Sequence, residues 1–161
     1  MSRQLVHDLT YDAPADRVTA MLADQSFREE VCDYIGAVRK TVVIEPVGDG
    51  MHATVDQWLR TSGVPSFAKK FVGEETNIVQ REIWSTPALG DITVTIPGKP
   101  GDMSGTARIA EAHGVTTETV SLTVKVGIPL VGGKLEELIS GLLLKSLKAE
   151  NKVGRDYLSR S

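Results

Sequence analysis

The sequence predicts an α+β fold in which a curved, seven-stranded antiparallel sheet wraps around one long C-terminal helix, with two short helices between strands one and two. Apolar residues recur with period two in six segments between about residues 40 and 126, and their linkers are mostly too short for parallel crossovers. From Gly132 to about Ser159 the period becomes helical over roughly 40 Å, enough to cross a whole sheet. A sheet gripping this helix buries both apolar surfaces.

The elements before the six strands follow from local signals. The segment RQLVHDLTY predicts the first strand, and Pro14 suits an early helical position because its missing N–H costs nothing there. In SFREEVCDYIG, Ser26 and Glu29 have the spacing of a capping box and Gly36 suits a helix end. Two short helices are therefore expected after the first strand.

The rest of the chain supplies the other strands and the long helix. The longer connection TSGVPSFAKKFVGEET is expected to hold a helical turn over one mouth of the structure. We expect the apolar stripe of the long helix to be buried on the sheet, so that Leu142→Asp would disrupt folding. The predicted strands are KTVVIEPV, MHATVDQWLR, NIVQREIW, GDITVTI, GTARIAEA and TETVSLTVKV.

Composition excludes several classes of protein. The 161 residues, 41% hydrophobic and 24% charged, fit one domain over residues 1–161. A net charge of −3 predicts neither nucleic acid nor an anionic membrane surface as a partner. No secretion signal and no apolar run of about 18 residues is present, which predicts a cytoplasmic protein without integral membrane association. Cys32, the single cysteine, is expected to be a small buried residue, and the oligomeric state is left open.

One segment, VKVGIPLVGGKLEEL, resembles a phosphate-binding P-loop in the spacing of two of its glycines. Gly127 and Gly132 have the right separation, but Gly133 follows, Lys134 comes one residue late, and Leu135 stands where a magnesium-binding hydroxyl belongs. A P-loop also requires a parallel sheet, whereas the sequence predicts an antiparallel one. We therefore interpret the glycine pair as a sharp reversal before the long helix.

The element order and several segments resemble a known superfamily. With VPSFAKKFVG, IVQREIW, IPGKP and VGIPLVGGKLEEL, the chain is similar to the START-like (SRPBCC, helix-grip) superfamily, which includes polyketide cyclase/dehydrase and lipid-transfer domains, and most similar to a bacterial family of unknown function within it. The resemblance implies a cavity between the sheet and the terminal helix, used in the superfamily for sterols, lipids, polyketides and plant hormones. No cofactor is predicted.

A cavity is also favoured by small residues of the long helix, although these could simply allow close packing. On the strands, the faces that carry the tryptophans either point inward as an aromatic-walled pocket or form a solvated surface, and the second alternative is favoured for the charged residues. The candidate cavity-lining residues are Trp58, Gln80, Glu82, Trp84, Arg108, Ile139, Leu142, Leu143 and Ser146.

Chemistry has little support in the motifs. The three histidines lack metal-ligand spacing, and no nucleophile elbow or base for Cys32 is evident, so neither a metal nor a catalytic residue is assigned. We expect a non-catalytic binder of a lipid or polyketide. The alternatives are a polyketide cyclase/aromatase-like enzyme, with Glu82, Arg108 and His7 as acid–base candidates, and a protein-interaction module.

Overall fold

The computed structural model describes residues 2–160 and contains one seven-stranded sheet, in which every neighbouring pair is antiparallel. The strand order is β1-β7-β6-β5-β4-β3-β2, so the first strand pairs with the last and the two short helices connect the two edges. The predicted α+β helix-grip fold is confirmed. The strands are β1 (Arg3–Tyr11), β2 (Arg39–Val47), β3 (Gly50–Arg60), β4 (Glu75–Thr86), β5 (Leu89–Thr95), β6 (Asp102–Ala112) and β7 (Val115–Lys125).

The helices are α1 (Ala15–Leu22), α2 (Gln25–Ile35), α3 (Ser66–Val72) and α4 (Gly132–Ser159). Helix α2 begins earlier than the capping-box spacing predicts, because Asp24 is its N-cap and accepts the backbone N–H of Ser26 at 2.9 Å. It ends at Gly36, whose φ of 96° is left-handed, as expected for a glycine in that position. In the described residues no helix is both long and apolar enough to cross a membrane.

One face of the sheet, here called the inner face, packs against α1, α2 and α4 and holds most of the core. The alternation of side chains along the strands determines which residues point to the inner face. Buried residues recur at every second position of β5 and β7, and the register aligns them across the sheet. The buried apolar residues of this face are Leu5, Leu9, Tyr11, Val42, Met51, Ala53, Val55, Trp84, Ile92, Val94, Met103, Ala107, Val120, Leu122 and Val124.

Helix α4 approaches the sheet most closely near its C-terminal end. A Cβ at Gly154 would lie 2.7 Å from Cε1 of Tyr11, so only glycine allows this contact. The closest face of α4 therefore passes through Gly154, and this rotates the helix away from the predicted stripe. As a result Leu142 is 45% exposed, and the expectation that it is buried in the helix–sheet layer is wrong.

A second apolar cluster closes the end of the fold where α4 begins. Ala68 of α3 packs with Val126 and Leu135, and Ile139 contacts both this cluster and the main core. The reversal before α4 is tight, because a Cβ at Gly132 would lie 2.5 Å from the carbonyl oxygen of Val126. The longer connection between β3 and β4 contains α3, the helical segment that the sequence predicts there.

Candidate functional site

A group of polar side chains lies on the inner face beneath α4, surrounded by apolar residues. We call it the polar cluster. Its members come from four elements, α2, β4, β7 and α4, and they are Arg28, Gln80, Glu82, Trp84, Glu118 and Glu150.

The centre of the polar cluster is a buried ion pair. Arg28, which is 3% exposed, donates from both terminal nitrogens to the Glu82 carboxylate at 2.7 and 2.9 Å, and its Nε donates to the carbonyl oxygen of Leu22 at 2.8 Å. Burial disfavours the charge of Glu82, but the positive charge and hydrogen bonds of Arg28 outweigh it and hold the pKa of Glu82 below its ordinary value. The pair is therefore ionised and mutually neutralised.

The alternation of β4 positions the other partners of Glu82. Gln80 and Trp84 lie two residues to either side on the same face, and they donate to the carboxylate at 2.6 and 2.8 Å. The indole of Trp84 fits because its cross-strand neighbour is Gly90, where a Cβ would lie only 2.6 Å from the ring. Glu82 thus accepts four hydrogen bonds and has little capacity left for a ligand.

Two further carboxyl groups face this pair without a cation of their own. Glu118 is 4% exposed, and its buried Oε1 has no hydrogen-bond partner among residues 2–160. Burial, and then the nearby charges of Glu150 and Glu82, raise the pKa of Glu118 well above its ordinary value. Burial likewise raises the pKa of Glu150 to about 7, with Arg28 opposing and Glu82 reinforcing the shift. Near neutral pH Glu150 is therefore partly protonated, and Glu118 holds its proton more strongly than an exposed glutamate does.

A small cavity of about 30 Å³ lies between α4 and strands β4, β5 and β7. This volume suits about one water molecule, whereas pockets for organic ligands are typically about 300–1,000 Å³. Its walls are mixed, with three carboxyl groups beside branched apolar side chains. The lining residues are Gln80, Glu82, Ile92, Glu118, Val120, Leu122, Leu143, Ser146, Leu147 and Glu150.

The structure brings some of the candidate lining residues together and separates others. Gln80, Glu82, Leu143 and Ser146 line the small cavity, and Trp84 lies beside it. Ile139 packs against both the main core and the cluster that contains Ala68, and Leu142 is 45% exposed. The alternative that Glu82 belongs to a solvated face is wrong, because the carboxylate is buried with Arg28.

Trp58 and Arg108 lie on the opposite face of the sheet. The register pairs Met51 with Trp84 on the inner face, so Trp58, an odd number of residues from Met51, projects the other way. Its ring is covered by Arg39, whose Cζ lies 4.6 Å from the ring centroid. Arg108 follows the buried Ala107 and is exposed. Neither residue contributes to the polar cluster.

Sequence reasoning misses Arg28, Glu118 and Glu150, although periodicity contains a signal for each. Glu118 alternates with apolar residues of β7 that point inward, and Glu150 continues the spacing of Leu143 and Leu147 along α4. Arg28 is one turn from the buried Cys32. These three residues are missed because a charged residue is expected to be exposed to solvent.

Other polar residues do not join the polar cluster. His7 lies in an open groove between β1 and α4 with Lys148 and Asp156, outside the apolar layer. Glu136 accepts the backbone N–H of Val126 at 2.9 Å and fixes the start of α4. Within residues 2–160, no group of three or more His, Cys, Asp or Glu side chains has an arrangement that could hold a metal ion.

Solved structures with low sequence identity share this fold. A protein of Thermus thermophilus superposes with a TM-score of 0.68 at 18% identity, covering 99% of both chains. The di-domain ARO/CYC protein StfQ of the steffimycin biosynthetic pathway gives 0.69 at 9% identity, over 99% of this chain and 51% of its own. Norcoclaurine synthase from Thalictrum flavum, in complex with dopamine and hydroxybenzaldehyde, gives 0.58 at 17% identity, over 95% and 86% of the two chains.

Sequence relatives point to one family. Uncharacterized proteins of Mycobacterium tuberculosis and Mycobacterium bovis are 28% identical over 102 residues, which is 60% of this chain and 59% of the length of those relatives. The family described as protein of unknown function (DUF2505) matches residues 6–158. Because that match spans nearly the whole chain, the protein belongs to the DUF2505 family, and it shares its helix-grip fold with these solved structures.

Proposed function

We propose that the protein binds an apolar or amphipathic small molecule, of the lipid or polyketide class, between the inner face of the sheet and the middle of α4. The observation that carries this proposal is the small cavity, which lies within the apolar helix–sheet layer and is lined by Glu118, whose buried Oε1 has no hydrogen-bond partner in the described part of the chain. Leaving a buried polar atom without a partner is costly, so such an atom in a cavity favours a ligand that supplies the partner.

A molecule larger than water requires the layer to open, and the contacts of α4 favour opening at its middle. The C-terminal part is fixed by Asn151, which donates to the carbonyl oxygen of Thr10 at 3.0 Å, and by the Leu158 carbonyl, which accepts from Arg17 at 2.9 Å. Glu136 fixes the other end. Between them, half-buried leucines such as Leu143 provide the contact. Apolar contacts of this kind can exchange for contacts with a ligand of similar chemistry.

A blocking substitution tests this proposal. Ser146 lines the cavity, whereas Gly141 is exposed, and a Cβ added there would have no atom within 4 Å apart from its chain neighbours and the backbone of its own helix. Ser146→Trp should abolish binding of a neutral fluorescent probe such as Nile red, and Gly141→Trp, the matched control, should retain it. Thermal unfolding confirms that both variants fold. Absence of Nile red binding to the parent, or unchanged binding by Ser146→Trp, would refute the proposal.

The raised pKa values of Glu118 and Glu150 favour one second candidate, a general acid–base enzyme of the cyclase type using the same cavity. A carboxyl group that titrates near pH 7 can both give and accept a proton. Turnover of a bound polyketide, lost in Glu150→Gln without loss of binding, would support this candidate. A cytoplasmic location and the lack of a nucleic-acid partner remain predictions from composition.

A further inference from the structure

We propose that the ligand of this site is an organic cation, a protonated amine attached to an apolar chain or ring, with the ammonium group held between Glu118 and Glu150. The inference rests on the proposed function, since it names the chemical class that the helix–sheet space accepts. It is carried by the arrangement of charged groups around the cavity and by the unpartnered carboxyl oxygen there.

Once Glu118 and Glu150 lose their protons, the charges of the polar cluster do not balance without a cationic ligand. Arg28 is its only cation in the described structure. Both terminal nitrogens of Arg28 donate to the Glu82 carboxylate, and its Nε donates to the carbonyl oxygen of Leu22. Glu118 and Glu150 therefore have no counter-charge in direct contact. An ammonium group carries one positive charge and three donors, which would satisfy the free Oε1 of Glu118 and a carboxyl oxygen of Glu150.

The same arrangement disfavours an anionic ligand such as a fatty acid. A carboxylate entering the cavity would meet Glu82, Glu118 and Glu150 and would find Arg28 already occupied. It would lose its hydration and gain no cation, which is strongly unfavourable. A neutral alcohol avoids this repulsion but supplies only one donor. We therefore expect the order of affinity to be amine, then alcohol, then carboxylate.

An ammonium ion also fits the space better than a metal ion does. The cavity of about 30 Å³ admits a group of about the size of water, while the apolar part of the ligand lies toward Leu143 and Leu147. Metal binding needs several ligands at fixed distances and angles, which the acidic groups within residues 2–160 do not offer. Hydrogen bonds to an ammonium tolerate more variation in geometry.

Binding of the cation should release protons. Glu150 faces Arg28 of α2, Glu82 of β4, Glu118 of β7 and Tyr11 of β1, so its charge state responds to each of them. In the free protein its pKa is about 7, and a neighbouring cation lowers it. The affinity for an amine should therefore increase by about tenfold between pH 6 and pH 8, with about one proton released per ligand at the lower pH.

Three ligands that share an alkyl chain and differ in the polar group test the inference: octylammonium, octanol and octanoate. Each is titrated into the protein by calorimetry at pH 6 and pH 8, in two buffers of different ionisation enthalpy. We expect octylammonium to bind at least tenfold more tightly than octanol at pH 8, and only the amine to release protons. The double variant Glu118→Gln/Glu150→Gln should lose this preference but keep octanol binding. Glu137→Gln, an exposed glutamate on the same helix, is the matched control.

The possible results separate the two proposals. Octanol binding that equals or exceeds octylammonium binding, tightest binding of octanoate, or an amine preference that survives the double variant would each overturn the cation assignment and leave the proposed binding function intact. No binding of any of the three ligands would overturn the cation assignment, and it would overturn the proposed function as well if the parent protein also failed to bind Nile red. Each single Gln variant, checked for folding by its melting curve, shows which carboxyl group contributes more.

Discussion

Replacing Glu150 by glutamine should stabilise the protein at alkaline pH and leave its stability unchanged at acidic pH. In the unfolded chain this carboxyl group loses its proton near its ordinary value of 4.5, whereas in the folded protein the pKa is about 7. Between these values the folded state binds more protons, so the free energy of unfolding falls as pH rises. Above about pH 7 both states have lost this proton, and the free energy of unfolding no longer falls because of it. Glutamine resembles the protonated form at every pH and avoids this loss.

The magnitude follows from the two pKa values. Their separation corresponds to about 3 kcal/mol, at 1.36 kcal/mol for each pH unit, which for a domain of this size is a rise in Tm of roughly 6–12 °C at pH 8. Chemical denaturation at pH 4.5, 6 and 8 measures the effect, with the exposed Glu137→Gln as the control. If Glu150→Gln and the parent have the same pH dependence, Glu150 is not held in a desolvated, acidic environment, and the account of the polar cluster is wrong.

Three other substitutions probe the packing around α4. Arg28→Met should cost about 3–5 kcal/mol, because it leaves Glu82 buried without its cation, and adding Glu82→Gln should recover much of that loss in denaturant titrations. Gly154→Ala should cost about 1–3 kcal/mol because its Cβ would overlap the Tyr11 ring, whereas Gly141→Ala should stabilise by about 0.5–1 kcal/mol; similar melting shifts for both would contradict the packing. Leu142→Asp should cost about 1 kcal/mol or less, and an unfolded variant would show that this side chain is buried after all.

Periodicity and linker length are sufficient to predict the architecture. Seven strands can be located because their apolar residues alternate, and short linkers such as Gly48–Gly50 leave no alternative to antiparallel neighbours. The long helix from Gly132 to Ser159 is predicted within its observed bounds, because glycine and proline residues mark its start. These are local signals, and the confirmed elements depend on little else.

The polar cluster depends on tertiary contacts, which is why only part of it can be predicted from the sequence. The inward direction of Glu82 is fixed by the contact of Trp84 with Gly90 and by Arg28, which is 54 residues away in the chain. Alternation within β3 cannot show that Trp58 points away from Trp84, since both faces of that strand carry large residues. Register between strands decides such cases, and register is not visible in a single strand.

The excess of acid over base is the part of the cluster that folding does not explain. Arg28 and Glu82 form a closed unit, satisfied by Gln80, Trp84 and Leu22, and a core could contain that unit alone. Glu118 and Glu150 add a free energy cost at neutral pH, because partial or full burial raises the pKa values of their carboxyl groups and opposes ionisation. Sites that retain a cost of this kind commonly do so for binding or catalysis.

The same excess of acid gives a discriminating comparison between a structural and a binding role. If the two carboxyl groups bind a cation, Glu118→Gln/Glu150→Gln should raise the free energy of unfolding at pH 8 and at the same time weaken octylammonium binding. A purely structural role predicts that stability falls, or that binding of the amine does not change. Because the two measurements move in opposite directions only under the binding role, denaturant titration and calorimetry on one variant decide between the two explanations.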